Sequence, residues 1–196
     1  MGCLIRSRMS GTTLSDMAKL MLFGMYILLA MLAAGLFGAV HDQISYTVSR
    51  EYYTHFKFLQ FGLLDAATPE RLRAAEVGFL ASWWMGVPLG LLTGLAGFIH
   101  PTPEQMRRAL LWALPAIMAF TLLFALAGLV YGFVQTDTLN LSAYRGWYVP
   151  AGLSEPRRFL CAGYMHNSAY LGGAVAVPMA WIFHFRLLRR RIWLST

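Results

Sequence analysis

Histidines and carboxylates beside long apolar blocks are the residues of this sequence that could do chemistry. The sharpest group is His166 and Asn167, with Tyr170 one helical turn beyond His166. His166 lies about 10 Å inside its apolar block if that block is a helix, a depth at which polar side chains usually face the interior of a bundle. His41 and Asp42 close an earlier apolar block. We expect these residues to meet at one end of a helical bundle.

A wider set of polar residues is expected along the same outer rim. Histidines combined with carboxylates form a ligand set that zinc, copper or iron accepts. No two of them have a tight metal-motif spacing, so a hydrogen-bonded network is the simpler interpretation, and a metal site or a substrate or proton path remain alternatives. The candidate set is His41, Asp42, Glu51, His55, Glu76, Asp137, His166, Asn167 and Tyr170, of which His41 and His166 would serve a metal.

Paired histidines also suggest haem, which facing helices can ligate. His41 and His166 lie toward one side, and His100 and His184 toward the other. The separation of His166 and His184 is about 27 Å along a helix, so both lie near membrane edges and interfacial anchoring explains them better. Nucleotide-binding and hydrolase motifs are absent. We therefore predict no cofactor and favour a protein that is not an enzyme.

Four apolar blocks must position these side chains. Residues 20–40, 77–99 and 109–136 carry no charge, and residues 159–185 carry none apart from histidine. Each block meets the requirement of about 20 residues for crossing a bilayer, and in lipid each must be a helix. We predict one all-α membrane domain over residues 1–196, a bundle of four transmembrane helices. The spans are expected at about 17–40, 74–99, 104–135 and 157–187.

Two helix starts and three prolines refine this prediction. Thr68 and Thr102 each precede a Pro-Glu pair, a pattern typical of an N-cap followed by a first helical turn. Pro88, Pro115 and Pro178 lie inside the second, third and fourth spans and should kink them.

Small residues recur at four-residue spacing in every span. Such stripes let helix backbones approach closely, within one chain or between chains. The predicted packing glycines are Gly86, Gly90, Gly94, Gly128, Gly132 and Gly172, and the first span contributes Ala30, Ala34 and Gly38.

The segment between the first two spans, residues 41–68, is the most distinctive stretch. Ile44, Tyr46 and Val48 alternate with polar residues, a short strand-like pattern. After Ser49, an expected N-cap, aromatic residues dominate. We predict an extracytoplasmic segment with a short interfacial helix that packs on the bundle, covers a site or docks a partner. A second outer loop is expected at 136–156.

Basic residues give the orientation. The net charge is +7, and the cations cluster at the ends of apolar blocks, where they contact lipid headgroups and not nucleic acid. With the N-terminus inside, nine of the 16 basic residues lie inside, and the run of three arginines at 189–191 favours a cytoplasmic C-terminus. We predict both termini in the cytoplasm. The expected partners are the lipid bilayer and a membrane protein or a second copy of the chain.

Three stretches carry a resemblance to a known family. HDQISYTVSREYYTHFKFLQFGL, VGFLASWWMGVPLG and MHNSAYLGG resemble a family of small four-span membrane proteins that recurs in bacterial genomes. The resemblance implies the same topology and a bacterial inner membrane, and it implies no activity and no site residues.

The function expected from these features is that of a non-catalytic membrane scaffold or accessory protein. A small transporter or channel is the first alternative, because the helices are rich in glycine and proline. A metal- or cofactor-dependent membrane enzyme with its site at the outer rim is the second alternative. Few ionisable residues lie at the expected bilayer midplane, which argues against a coupled ion path.

Overall fold

The regular secondary structure of the protein is all helical in the part that the computed structural model describes, which is the backbone of residues 2–194 and the side chains of residues 13–190. The α-helices are α1 (Gly2–Val48), α2 (Arg50–Tyr52), α3 (Phe58–Phe61), α4 (Glu70–Ser82), α5 (Gly86–Gly94), α6 (Pro103–Gln135) and α7 (Pro156–Leu194). A π-helical stretch covers Tyr53–Lys57, and 3₁₀ turns cover Trp83–Met85, Leu95–Ile99 and Leu141–Tyr144.

Four helical segments of the described chain are long and apolar enough to cross a membrane, as predicted. They are span 1 (Thr13–Val48), span 2 (Glu70–Ile99), span 3 (Pro103–Gln135) and span 4 (Pro156–Arg190). Leu28, Leu32, Leu36 and Val40 form a stripe at every fourth residue of α1, and each is more than half exposed. A soluble protein would bury such a stripe, whereas lipid accepts it.

The four spans form two hairpins. Span 1 packs chiefly against span 2, and span 3 packs chiefly against span 4, with fewer contacts between the hairpins. We call the end of the bundle with residues 49–69 and 136–155 the His166 end, and the opposite end the His184 end.

Glycines bring the helices of the first hairpin close together. A Cβ atom added to Gly38 or to Gly78 would run into the backbone of the other glycine. Gly86 meets the backbone of span 1 in the same way, and Gly90 and Gly94 also face side chains of span 1. The chain can approach this closely only because these positions have no side chain.

The second hairpin has the same kind of contact. A Cβ atom at Gly128 would clash with Ser168, and one at Gly132 would meet the Cβ atom of Tyr164 at 2.9 Å. Gly172 of span 4 faces Phe124 of span 3 at 2.7 Å in the same construction. The two hairpins are therefore each closed by glycine contacts.

One of the two predicted threonine caps is confirmed. The side chain of Thr102 accepts a hydrogen bond from the Gln105 backbone N–H at 3.3 Å at the start of α6. The cap predicted at Thr68 is wrong, because Pro69 occupies the N-cap position of α4, where no side chain makes a capping hydrogen bond. The Thr68 hydroxyl instead donates to Asp65 at 2.8 Å, within the preceding turn.

The prolines leave the spans helical. α6 and α7 run without interruption through Pro115 and Pro178. In span 2 the helix changes to a 3₁₀ turn over Trp83–Met85, just before Pro88. Of the three spans that contain a proline, span 2 therefore changes its helix type beside the proline, whereas spans 3 and 4 do not.

The strand-like pattern predicted after the first span is wrong, since α1 continues through it to Val48. The buried residues of this stretch are His41, Asp42, Ser45 and Ser49, at helical spacing. Because these inward residues are polar, the alternating apolar residues predicted the two-residue period of a strand, whereas the structure has the period of a helix. Ser49 caps the next helix as predicted, accepting from the Tyr52 backbone N–H at 3.2 Å. We call residues 49–61 the aromatic segment.

Candidate functional site

Three buried ligand-type side chains meet at the His166 end. His41 and Asp42 come from α1 and His166 from α7, and at most 8% of each residue is exposed. His41 Nδ1 lies 3.0 Å from Asp42 Oδ1, and His166 Nε2 lies 3.7 Å from the same oxygen. One ligand atom of each of the three side chains lies within 4.8 Å of the others. The cluster thereby joins the two hairpins.

A hydrogen-bonded chain extends from the cluster to the aromatic segment. Ser45 Oγ lies 3.2 Å from His166 Nε2 and 2.5 Å from the hydroxyl of Tyr53. Tyr53 is fully buried, and burial raises its pKa well above the usual value. Its hydroxyl therefore stays protonated and serves as a neutral hydrogen-bonding group.

Aromatic rings cover the cluster. The ring of Tyr52 stacks on His166 with centroids 4.9 Å apart, and it also contacts Phe159 of span 4 at 5.1 Å. Phe56 continues the cover to Tyr148, at 5.0 Å, in the loop that precedes span 4. These contacts exclude water and hold the imidazole of His166 in one orientation.

A buried lysine lies beside the cluster. Lys57 is 8% exposed, and its Nζ donates to Gln60 at 3.0 Å and lies 4.6 Å from the ring centre of Phe56. Burial lowers the pKa of Lys57. Tyr53 and Lys57 are the first and last residues of the π-helical stretch, a backbone form that is frequent at functional sites.

Two polar atoms of the cluster are buried and have no hydrogen-bond partner among the described residues. They are Nε2 of His41 and Oδ2 of Asp42. Leaving such groups unpaired costs about 1–3 kcal/mol each, and more for a charged group. These two atoms keep donor and acceptor capacity that the described residues do not use.

A long apolar cavity begins at the cluster. It has a volume of about 110 Å³ and is lined by all four spans. At one end lie the cluster, Lys57 and Tyr170, and at the other end Tyr26 and Thr93 hydrogen-bond to each other at 3.1 Å. The stretch of α1 between these ends corresponds to about 24 Å of helix. The residues between the two ends are mostly Ala, Gly, Leu, Met and Ile.

Tyr170 connects the cavity with the surface. Its side chain lines the cavity and is half exposed, at 50%. It lies inside span 4, one of the helices that are long and apolar enough to cross a membrane. Asn167, about one helical turn before Tyr170, is exposed and lies outside the buried face of α7 that carries His166.

The remaining predicted site residues have other surroundings. Glu51 accepts hydrogen bonds from the backbone N–H groups of Ser154 and Glu155, at 2.8 and 2.9 Å, where α7 begins. His55 is exposed and contacts Thr54. Glu76 is exposed, and Asp137 pairs with Arg157 at 3.3 Å.

Glu51 ties the aromatic segment to the second hairpin. Burial alone would raise the pKa of its carboxyl, but the hydrogen bonds from Ser154 and Glu155 outweigh burial, and the pKa is lowered. The carboxylate also lies at the N-terminus of α7, where the helix dipole favours negative charge.

A second histidine pair lies at the His184 end. His100 Nε2 and His184 Nδ1 are 3.0 Å apart, and both residues are buried. At each end the two histidine rings contact each other, with centroids 4.6 Å apart for His41 and His166 and 5.2 Å for this pair. Neither spacing admits a porphyrin between the two rings.

Sequence reasoning missed three residues around the cluster, Ser45, Tyr53 and Lys57. Ser45 lies one turn after His41, so helical spacing was an available signal once α1 was extended. Tyr53 and Lys57 are four residues apart, so helical spacing could also have placed both of them on one face.

No protein-family model, curated protein or solved structure matches this chain.

Proposed function

We propose that the protein is a non-catalytic membrane protein that binds one small molecule with an apolar chain and an oxygen-bearing head. The chain would lie in the cavity between the hairpins, and the head would lie at the cluster. The observation that carries this proposal is the cavity itself, which is apolar along its length and polar at the end where His41 and Asp42 keep unpartnered atoms. Ligand pockets usually combine an apolar lining with a few convergent polar groups.

A purely structural scaffold accounts less well for these features. Cores of proteins are close-packed, and an unfilled cavity costs stability. The polar atoms left unpaired beside the cavity add to that cost. A bound ligand would offset both terms, because it fills the apolar space and pairs with the polar end.

A channel or ion-coupled transporter is also less well supported. The cavity carries its ionisable groups at one end, and the residues between its two ends offer no charged path across the membrane. Tyr170 gives the cavity a lipid-facing opening, which is a suitable entrance for a molecule that is dissolved in the bilayer.

The small-residue stripes are part of the same proposal. They would close each hairpin tightly, so that space remains between the hairpins and not within them. The glycine contacts of Gly38 with Gly78, and of Gly128 with Ser168, support this role.

We further propose that the protein lies in a bacterial inner membrane with both termini in the cytoplasm. The basic residues near the end of span 4, including Arg189 and Arg190, support this orientation. A C-terminal alkaline phosphatase fusion should be inactive and a C-terminal fluorescent protein fusion bright, and the reverse result would place the C-terminus outside.

A matched pair of glycine substitutions tests the ligand proposal. A Cβ atom at Gly173 would meet Leu89 at an ordinary 3.7 Å, so Gly173→Leu can fill the cavity without a severe clash. Gly24 has nothing within 4 Å of an added Cβ and is exposed, so Gly24→Leu serves as the control.

Each variant would be extracted with its surrounding lipid in polymer discs, and the organic extract analysed by mass spectrometry. We expect an apolar-chain compound at about one per chain in the wild type and in Gly24→Leu, and its loss in Gly173→Leu. Extracts that contain only bulk phospholipid in the same proportions for all three proteins would disprove the proposal.

A further inference from the structure

We propose that His41, Asp42 and His166 bind one divalent transition-metal ion, with zinc as the reference ion. The two imidazoles and the carboxylate are the donors that zinc, iron and copper accept in proteins. The site goes beyond the ligand-binding proposal, since it can be tested with the metal alone.

The spacing of the ligand atoms fits one ion. Zinc bound at about 2.0–2.1 Å in a tetrahedral site separates neighbouring ligand atoms by about 3.3 Å. His41 Nδ1 and Asp42 Oδ1 are 3.0 Å apart, and His166 Nε2 is 3.7 Å from the same oxygen. One ligand atom of each of the three side chains lies within 4.8 Å of the others. Small side-chain rotations would bring all three atoms to one ion.

Burial and charge favour a bound cation. Asp42 is 2% exposed, and one of its oxygens has no hydrogen-bond partner among the described residues. A buried carboxylate that is incompletely paired is costly, and metal coordination is one of the few arrangements that compensates it. Lys57, which lines the same cavity, interacts with Asp42 through its charge, but it donates its described hydrogen bond to Gln60 and leaves the coordination positions of the carboxylate open.

The surrounding residues already hold the ligands in place. The ring of Tyr52 stacks on His166, and Ser45 Oγ holds His166 Nε2 at 3.2 Å. The metal would replace that hydrogen bond, and Ser45 would keep its bond to Tyr53. Three protein ligands leave a fourth position, which is the pattern of exchangeable and not of closed structural sites. All three ligands line the cavity, so the fourth position lies beside it.

Metal content of purified protein tests the site. The wild type would be dialysed against zinc, freed of loose ions, and analysed by mass spectrometry, beside Asp42→Asn and His166→Gln. The matched control is His55→Gln, because His55 is an exposed histidine of the aromatic segment. We expect about one zinc ion per chain in the wild type and the control, and a loss of about ten-fold or more in affinity in the two ligand variants.

Cobalt provides a readout that needs no variant. Tetrahedral cobalt bound by these ligands should give visible absorption bands in the folded wild type, and zinc should remove them. The absence of the bands together with substoichiometric zinc in the wild type would overturn the proposal. Equal zinc content in His166→Gln and His55→Gln would also overturn it.

The cavity-filling variant separates this inference from the ligand proposal. Gly173→Leu should lose the apolar ligand and retain zinc, since Gly173 is not among the three metal ligands. Zinc bound without any apolar ligand in the wild type would support the metal site and reject the proposed function. An apolar ligand bound without zinc would support the proposed function and reject the metal site.

Discussion

Span 4 carries a buried histidine near each end, and the two histidines have different surroundings. His184 meets His100, and the two rings form a hydrogen-bonded bridge to the first hairpin. His166 meets His41 together with Asp42, and among the described residues only this group gathers three metal-ligating side chains. A carboxylate therefore distinguishes two otherwise similar bridges between the hairpins. The His184 end can fasten the helices, whereas the His166 end can also hold a cation.

The largest effect is expected where the first hairpin is closed beside the cluster. In Gly78→Leu the new side chain meets the backbone of Gly38, three residues before His41, and forces the helices apart. We expect a loss of about 3 kcal/mol or more in the free energy of unfolding and a loss of zinc binding. Thermal unfolding in detergent measures the first effect, with Gly24→Leu as the control. A Gly78→Leu protein as stable as that control would contradict the hairpin packing.

A smaller effect is expected when the bridge at the His184 end is removed. His184→Phe keeps a ring of similar shape but takes away the nitrogen that His100 Nε2 faces. The free energy of unfolding should fall by about 1–3 kcal/mol, with zinc content unchanged. Thermal unfolding and metal analysis on the same sample check both statements. Loss of zinc in this variant would show that the two ends do not act separately.

Removing one hydroxyl sharpens the comparison at the His166 end. Tyr53→Phe deletes the hydrogen bond to Ser45 and leaves the buried ring in place. We expect a loss of about 1 kcal/mol in the free energy of unfolding. Zinc should still bind, because Tyr53 is not a ligand, and the visible spectrum of the cobalt protein provides the check. Tyr144→Phe, at a tyrosine outside this hydrogen-bonded chain, is the control.

The smallest effect concerns Glu51 and depends on pH. Because the folded protein lowers its pKa below the usual 4.5, the carboxylate contributes stability above that pH and loses it as the pH falls through the lowered pKa. Glu51→Gln should cost less than about 1 kcal/mol at pH 7, since the group is only partly buried and solvent screens its charge. The difference in unfolding temperature from the wild type should shrink below pH 4.5. A difference that is constant between pH 7 and pH 3.5 would contradict this assignment.

The four spans were predictable because lipid imposes a simple requirement, an uncharged stretch of sufficient length. The bounds of the helices were less predictable. α1 extends to Val48, and its inward residues there are polar and buried inside the protein. Hydropathy cannot distinguish polar residues that face a buried cluster from polar residues that face water.

The cluster was predicted only in part, because the rotation of each helix about its axis cannot be read from the pattern of apolar residues. His166 and Asn167 are neighbours that differ by about 100° around the helix, and only His166 faces inward. Glu76 and Asp137 lie near the expected rim by their position in the chain but are exposed. Lys57 reaches the cavity through a π-helical turn, which composition does not reveal.

The link between Glu51 and Ser154 joins residues that are 103 positions apart in the chain. During synthesis the aromatic segment emerges long before span 4, so Tyr52 lacks its span 4 partners while spans 2 and 3 are inserted. Tyr52 can stack on Phe159 and His166 only after the last helix has entered the membrane. Completion of this end of the protein is therefore a late event in biogenesis, and a chain truncated before span 4 would leave the segment uncovered.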